Sequence, residues 1–211
     1  MPDTTERALV GDRRPPSRGD QQRALIIASV VELLETVPIA NLSVLQIAKH
    51  AGVTRPAFYF YFDSKYTVVA AALQQVWTAI EAGTTGLDSF DFQEPPAAFS
   101  ERMIGNVIEV WRQNAALLDA CMQSADPQLS GMWADFVSNL SARIAAFTER
   151  VRNTGAIQPI VDDVPALIDT LVGMMISILR NDIRRSRPEL DTRLLAAARA
   201  IWLASVWGEP E

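Results

Sequence analysis

Apolar residues recur at intervals of three and four along almost the whole chain, and this spacing restricts the fold to packed helices. The first such segment runs from Ile26 to Leu34, with Asp20 expected as its cap and Pro38 just beyond its end. No convincing set of segments alternates with the period of two that a sheet needs. The sequence therefore predicts an all-α chain of about nine helices. Longer helices are expected at about 63–82, 96–113, 115–124, 127–153, 165–184 and 189–207.

Two short helices are predicted between the first helix and the one near residue 63. Ser43 is suited to cap the second helix because Gln46, three residues later, completes a capping box. Gly52 supplies the positive φ of the turn that follows. Thr54 then caps a third helix, with Pro56 in the first turn, where a missing backbone N–H is tolerated. Three helices within about 40 residues have the dimensions of a helix–turn–helix.

The stretch "TRPAFYFYFDSK", residues 54–65, has the aromatic content of a β-strand but lies between predicted helices. On a helix, Phe58 and Phe62 share the side that faces the core, whereas Arg55 and Tyr59 share a neighbouring side. A strand would group the phenylalanines on one face and the tyrosines on the other, and it would have no partner strand. We therefore interpret the stretch as a helix that exposes Arg55 and Tyr59.

Composition and charge narrow the class of protein further. The net charge is −6, with a balance of +1 over residues 1–65 and −7 over residues 66–211. This net charge argues against a uniformly basic nucleic-acid coat, and the first third is the less acidic end of the chain. Cys121 is the only cysteine, so no intrachain disulfide forms, and a cytoplasmic protein is expected. No apolar run approaches the roughly 20 residues of a membrane span, and the first twenty residues lack the apolar stretch of a signal peptide.

Three parts of the chain are expected to have different roles. Residues 1–19 are polar and rich in proline, which is typical of a flexible arm. Residues 20–66 contain the predicted helix–turn–helix. Residues 67–211 form a larger helical domain, interrupted by the acidic, turn-rich segment "GLDSFDFQEPP".

The segment "LSVLQIAKHAGVTRPAFYFYFDSK" resembles the signature of the TetR family of bacterial transcription regulators, and the resemblance covers about residues 22–70. The tail "IWLASVWGE" resembles the EthR-like branch of that family more loosely. The resemblance implies a repressor that binds a palindromic, double-stranded DNA operator as a homodimer and is released by a small apolar effector. It implies no cofactor and no membrane partner.

On this resemblance, the third helix enters the major groove of DNA. Arg55 is the best candidate for reading a guanine, since its guanidinium matches the O6 and N7 acceptors. Lys65 matches the family's phosphate-contacting lysine, and the helix start at Ser43 offers backbone N–H groups to another phosphate. The arginines of the arm are expected along the backbone or in the minor groove, although disordered tails often carry arginines without a local role. The candidate DNA-binding residues are Arg13, Arg14, Ser43, Thr54, Arg55, Pro56, Tyr59, Tyr61 and Lys65.

The second half of the chain is rich in tryptophan and methionine, which is also typical of an ordinary packed core. The resemblance instead implies an apolar effector cavity between the central helices. Few charges fall among the candidate positions, so an apolar ligand is expected. The candidate ligand-binding residues are Asn106, Val107, Trp111, Trp133, Phe136, Val137, Leu140, Met174, Met175 and Trp202.

The last two long helices are expected to form a four-helix bundle with those of a second copy. Gly173, in the middle of a helix, would permit close approach of two helices. The basic cluster at residues 180–187 is better explained by the dipole of a helix C-terminus than by a second DNA site. The candidate dimer-interface residues are Leu167, Leu171, Gly173, Ile178, Leu194, Ala198, Ile201 and Ser205.

Two other classes of protein, an enzyme and a protein-interaction module, are alternatives to a regulator. An enzyme is disfavoured because His50 is the only histidine and Cys121 the only cysteine, so neither a nucleophile–histidine pair nor a zinc site is easily assembled. No phosphate-binding glycine motif is present. A helical protein-interaction module that does not bind DNA is the alternative to a regulator, and a substitution at Arg55 distinguishes the two.

Overall fold

The computed structural model describes residues 17–83, 94–185 and 188–208, and all regular structure in these ranges is helical. Besides the α-helices, this structure contains a short 3₁₀ turn, Ile39–Asn41, and a terminal π-helical turn, Leu203–Trp207. The predictions for Arg13 and Arg14 lie outside the described residues. The helices are α1 (Arg18–Leu34), α2 (Val44–His50), α3 (Arg55–Tyr61), α4 (Lys65–Gly83), α5 (Pro96–Gln113), α6 (Ala115–Gln123), α7 (Pro127–Arg152), α8 (Val164–Arg185) and α9 (Pro188–Trp202).

Capping side chains set the starts of the first helices. Ser17, rather than the predicted Asp20, caps α1, and the Asp20 carboxylate accepts hydrogen bonds from Ser17 in a capping box. Those hydrogen bonds hold the pKa of Asp20 below its usual value. Ser43 and Gln46 form the predicted capping box at α2, with Ser43 Oγ donating to Gln46 Oε1 at 2.7 Å. Thr54 caps α3 by accepting from the N–H of Ala57.

The first three helices and the start of α4 enclose a small core. Phe58 is fully buried and Phe62 almost fully, so the aromatic stretch faces inward as a helix should. Between α2 and α3, Gly52 adopts a φ of 67°, the left-handed conformation that glycine accepts without strain. The N–H of Val53 donates to the carbonyl of Ala48 across this turn. This helical arrangement of residues 17–62 has the geometry of a helix–turn–helix.

The helix α4 connects this core to the rest of the described structure. It packs against α1 on one side and against α5, α6 and α7 along its length. Its buried residues continue one hydrophobic cluster from Phe58 through Val69 and Trp77 to Trp111. A second cluster, around Phe99, lies among α5, α7, α8 and the terminal π-helical turn. Because the first cluster is continuous, a shift of α4 would change the packing both around α1–α3 and around the helices that follow α4.

The helix α8 contains a longer apolar window than the sequence led us to expect. Its window Val164–Asn181 has a mean hydropathy of 1.3 and is long and apolar enough to cross a membrane by length and composition alone. A third of the window is buried among the other helices, and Asp169, Thr170 and Ser177 interrupt its exposed side. A core helix of a globular domain has these properties too.

Candidate DNA-binding surface and effector cavity

Arg55 and Tyr59 lie together on the exposed side of α3. Arg55 Nη2 donates to the Tyr59 hydroxyl at 3.4 Å, and the guanidinium carbon lies 5.6 Å from the centroid of the Tyr59 ring. Phe60, next to them, has 82% of its side chain exposed. Pro56 and Thr54 are exposed at the start of the same helix. The buried Phe58 fixes this arrangement from behind, so the helix presents a cation and two aromatic rings outward.

Two residues predicted to contact DNA form hydrogen bonds within the protein instead. Lys65 Nζ donates to the carbonyls of Ile39 at 2.6 Å, Leu42 at 2.9 Å and Ala40 at 3.1 Å. An ammonium has three N–H donors, and these three carbonyls use all of them. The predicted phosphate contact of the Lys65 ammonium is therefore corrected: this side chain holds the 3₁₀ turn against the start of α4.

Tyr61 is the second of these residues. Its hydroxyl donates to Gln22 Oε1 at 3.0 Å, and its side chain is half-buried between α3 and α1. The phenolic proton is thus used within the protein, and we correct the predicted role of Tyr61 from phosphate donor to a tie between helices. Ser43 is exposed, but both its hydroxyl and its N–H are engaged with Gln46. The exposed start and outer face of α3, with Thr54, Arg55, Pro56 and Tyr59, therefore form the centre of the predicted surface that the structure describes.

A partly open cavity of about 130 Å³ lies among α4, α5, α6, α7, α8, α9 and the terminal π-helical turn. Its described wall has no charged side chain, and the only hydroxyl groups belong to Ser100 and Thr148. The Thr148 hydroxyl already donates to the carbonyl of Ile144. The wall is formed by Trp77, Ile80, Phe99, Ser100, Met103, Ile104, Val107, Trp111, Leu118, Trp133, Phe136, Leu140, Ile144, Phe147, Thr148, Val172, Met175, Ile176, Leu179, Trp202, Val206 and Trp207.

Aromatic rings form a connected layer on one side of the cavity. Trp77 stacks on Phe136, with ring centroids 4.0 Å apart and an interplanar angle of 11°. Trp133 lies 5.9 Å from Trp77 and 6.0 Å from Trp111, centroid to centroid. Offset and edge-to-face contacts of this kind are attractive and restrict ring motion. The cavity therefore has a rigid, aromatic wall on the α4 side.

Seven of the predicted ligand-binding residues line this cavity and three do not. Asn106 lies exposed on the outer side of α5, so it cannot serve as a polar contact for a buried ligand. Val137 and Met174 are half-buried between the two hydrophobic clusters rather than at the cavity wall. We correct these three predictions. The predicted ligand-binding residues that do line the cavity are Val107, Trp111, Trp133, Phe136, Leu140, Met175 and Trp202.

Several wall residues were missed by the sequence analysis. Phe99 and Met103 continue the four-residue spacing of the predicted Val107 and Trp111 along α5, and this stripe was the signal that would have located them. Trp77 was missed because α4 was interpreted only as a connecting helix. The presence of Trp77 in the wall places the cavity directly against the helix that leads to α3.

The residues predicted to form the dimer interface differ in their exposure to solvent. Leu171, Ala198 and Ser205 are buried within the protomer, so they cannot meet a second copy, and we correct those predictions. Leu167 and Ile178 are half-buried, while Gly173, Leu194 and Ile201 are exposed. The exposed sides of the two last helices, which we call the α8–α9 face, are offset by a fraction of a turn from the predicted stripe. This face consists of Ala166, Thr170, Gly173, Ser177, Leu194, Ala197, Ile201 and Ala204.

Nothing in the described residues resembles a catalytic or metal centre. No group of three or more metal-ligating side chains occurs there. His50 Nε2 lies 2.7 Å from Glu32 Oε2 in an exposed pair between α2 and α1. Burial raises the pKa of the Cys121 thiol to about 11, which makes it a poor nucleophile near neutral pH.

Comparison with known proteins agrees with this arrangement. Residues 26–72 match the model of the family described as bacterial regulatory proteins, tetR family. The chain is 29% identical over 210 residues to the HTH-type transcriptional regulator EthR of Mycolicibacterium smegmatis, covering 94% of this chain and 92% of the relative. It is 28% identical over 206 residues to EthR of Mycobacterium tuberculosis, strain CDC 1551, covering 94% and 93%.

Solved structures share the fold. A putative TetR-family transcriptional regulator from Mesorhizobium loti superposes with a TM-score of 0.69 at 25% identity, covering 89% of this chain and 98% of that one. A complex of SmeT with triclosan superposes with a TM-score of 0.67 at 17% identity, covering 88% and 91%. The named relatives are regulators and not enzymes, as the sequence predicted. Together with the helix–turn–helix geometry, these matches identify residues 26–72 as a DNA-binding domain of the TetR-family type, and over nearly its whole length the chain is similar to transcriptional regulators of that family.

Proposed function

We propose that the protein is a ligand-responsive repressor that binds a palindromic operator as a homodimer and is released by a small, largely apolar effector. The observation that carries the proposal is the position of α4. One end of this helix holds the 3₁₀ turn before α2 through Lys65, and its middle contributes Trp77 to the cavity wall. A single rigid element thus touches both the DNA-binding region and the effector cavity.

The DNA contacts that we propose centre on the exposed side of α3. Arg55 is assigned to a guanine in the major groove, since its fork matches two acceptors on one base edge. Tyr59 supports the guanidinium and lies where it would contact the sugar–phosphate backbone. Thr54 and Pro56 approach the backbone or a thymine methyl group at the start of the helix. Ser43 and the arm arginines, Arg13 and Arg14, are proposed as phosphate contacts.

The chain is proposed to consist of three parts. These are an arm at 1–19, a DNA-binding domain at 20–66 and a ligand-binding and dimerisation domain at 67–211. The α8–α9 face is the proposed contact between two copies, because its small and apolar side chains permit close helix packing. To bind a palindrome, a dimer built on this face must present its two α3 helices to successive major grooves, about 34–36 Å apart. Such a protein would act in the cytoplasm.

Release follows from linkage between the two sites. An effector lowers operator affinity only by as much as it prefers the conformation that binds DNA poorly. A preference of about 1.4 kcal/mol weakens operator binding tenfold. The solved SmeT–triclosan complex supports the idea that this fold accommodates a small aromatic compound.

The test is a footprint of the purified protein on DNA from around its own gene. We expect protection of an inverted repeat, and gel shifts of that repeat should weaken when a cavity ligand is added. Failure to protect any repeat would favour the alternative, a helical protein-interaction module. Protection that saturating ligand leaves unchanged would remove the release step but keep the DNA-binding assignment.

A further inference from the structure

Phe60, near the end of α3, is the most exposed large apolar side chain among the residues that the structure describes. Its exposed fraction is 82%, whereas Leu45 follows with 65% and Ile160 with 64%. A phenylalanine left in water forgoes most of the stabilisation that its burial would contribute to folding. Exposure alone assigns no role to a single apolar side chain. The position of Phe60 on α3 does.

Phe60 lies on the side of α3 that points away from the core. Successive residues of a helix are rotated by about 100°, so Phe60 is turned by about 200° from Phe58, which is fully buried. Pro56, four residues before Phe60 and also exposed, lies on the same line. Arg55 and Tyr59 lie beside this line. The outermost line of α3 is therefore apolar, with a cation next to it.

The Phe60 ring is supported by its neighbour. The ring centroids of Phe60 and Tyr61 lie 5.0 Å apart at an interplanar angle of 87°, which is an attractive edge-to-face contact. Tyr61 is itself tied to α1, because its hydroxyl donates to Gln22 Oε1. The ring thus has a preferred direction before any partner binds, and little side-chain entropy is lost when a partner covers it.

The chemistry of a phenyl ring limits what Phe60 can contact in a DNA groove. The ring has no hydroxyl group, so it cannot donate to a phosphate as a tyrosine can. The base edges in the major groove present hydrogen-bond donors and acceptors, and the apolar group among them is the C5 methyl of thymine. Contact between the ring and that methyl removes apolar surface of both partners from water.

We propose that Phe60 is a specificity-determining residue whose ring, with Pro56 beside it, contacts the C5 methyl group of one thymine in each half of the operator. This inference rests on the proposed function and adds an apolar contact to the guanine contact assigned to Arg55. Phe60 lies five residues after Arg55, which is ~7.5 Å along the helix axis. The thymine therefore lies within about three base pairs of the guanine.

The experiment replaces thymine by uracil, which removes the methyl group and keeps the hydrogen bonds of the base pair. The DNA is a duplex that the full-length protein selects from a random-sequence library, so no operator has to be known beforehand. Each thymine is replaced in both half-sites together, and gel shifts measure affinity. We expect one position where affinity falls about fifteenfold, or about fourfold for each methyl group. A scan with no such position overturns the proposal.

Phe60→Ala should abolish this sensitivity. In that variant the thymine and uracil duplexes should differ by about twofold or less, because the methyl group has no ring to contact. A ring that only supports Tyr61 would weaken binding to both duplexes equally and leave the fifteenfold ratio intact, and that result overturns the proposal. The matched control is Ile160→Ala, another exposed apolar side chain, which lies outside the helix–turn–helix and should keep both affinity and ratio.

The selection step separates this inference from the proposed function. A protein that selects no sequence from the library is not a DNA-binding regulator, and both proposals are then wrong. A selected inverted repeat whose affinity is insensitive to every methyl group removes only the role of Phe60. The thermal unfolding of Phe60→Ala should closely resemble that of the wild type because the ring is exposed. The ratio between duplexes therefore reports on the DNA contact rather than on folding.

Discussion

The Nζ atom of Lys65 lies 2.6 Å from the carbonyl oxygen of Ile39 and donates a hydrogen bond to it, joining the first residue of α4 to the turn that precedes α2. Two further carbonyls, of Ala40 and Leu42, accept from the same ammonium. A displacement of α4 therefore moves the turn in front of α2. The lysine thus joins α4, which contributes to the cavity wall, to the segment that precedes α2.

Lys65→Met should destabilise the protein without removing a DNA charge contact. The substitution keeps the length of the side chain but leaves three carbonyls without their donor, and we expect the free energy of unfolding to fall by about 1–3 kcal/mol. Lys49→Met, an exposed lysine on α2, is the stability control and should change little. Urea denaturation measures both.

The same variant separates the structural role of Lys65 from a phosphate contact. If its ammonium met a phosphate, the slope of operator affinity against salt concentration would drop by about one per subunit on a logarithmic scale, or about two for the homodimer. We expect the slope of Lys65→Met to equal that of the wild type. A clearly reduced slope would restore the original prediction.

Arg55→Ala should weaken operator binding by about 1–3 kcal/mol and relax specificity at one base position. The reason is the loss of a bidentate donor on the exposed side of α3, where Tyr59 now orients it. The control is Arg143→Ala on α7, in the other half of the protein. Gel shifts against a set of operator variants measure affinity and specificity together. Unchanged affinity would indicate that another residue reads the base.

Much of this arrangement could be predicted from local sequence. The burial of Phe58 and the exposure of Arg55 follow from helical spacing within one short segment. The capping box of Ser43 and Gln46 also needs only four consecutive residues. Local rules were sufficient in these two cases, where the partners lie within about one helical turn.

Other features depend on contacts between distant segments, which periodicity does not encode. Lys65 finds its carbonyls 23 to 26 residues away, and Tyr61 finds Gln22 at a separation of 39. Exposure on α8 and α9 depends on how each helix is rotated against its neighbours, so Leu171 and Ala198 were assigned to the wrong side. The cavity was expected from the family resemblance, but the inclusion of Trp77 required the packing of α4.

Ile201→Asp should convert the proposed dimer to a monomer. Ile201 is 43% exposed on the α8–α9 face, and two copies of the interface would then bury two carboxylates next to each other. Ile160→Asp is the matched control, since Ile160 is 64% exposed but precedes α8 and lies outside the face. Sedimentation velocity should show a halved mass only for Ile201→Asp. Dimers of unchanged stability in that variant would place the interface elsewhere.

The thiol of Cys121 provides a pH-dependent test of how closely α6 packs against α1 and α4. Cys121 is 1% exposed on α6, a helix that contacts both α1 and α4, and its Sγ lies 3.5 Å from the carbonyl oxygen of Leu129. Burial disfavours the thiolate and raises the pKa from 9.0 to about 11. Native protein should therefore react with a thiol reagent at pH 8 far more slowly than unfolded protein does.

The raised pKa also makes stability depend on pH in a defined direction. Below pH 9 the thiol is protonated in both the folded and the unfolded chain, so its contribution is constant. Between pH 9 and about 11 the unfolded chain loses the proton first, and the folded state is progressively disfavoured. Relative to Cys121→Ala, the wild type should lose roughly 2–3 kcal/mol of unfolding free energy across that interval. Comparing the two proteins removes the titration of lysines and tyrosines that they share. Parallel pH profiles would mean that the thiol is accessible to water, and that α6 does not seal the junction between α1 and α4.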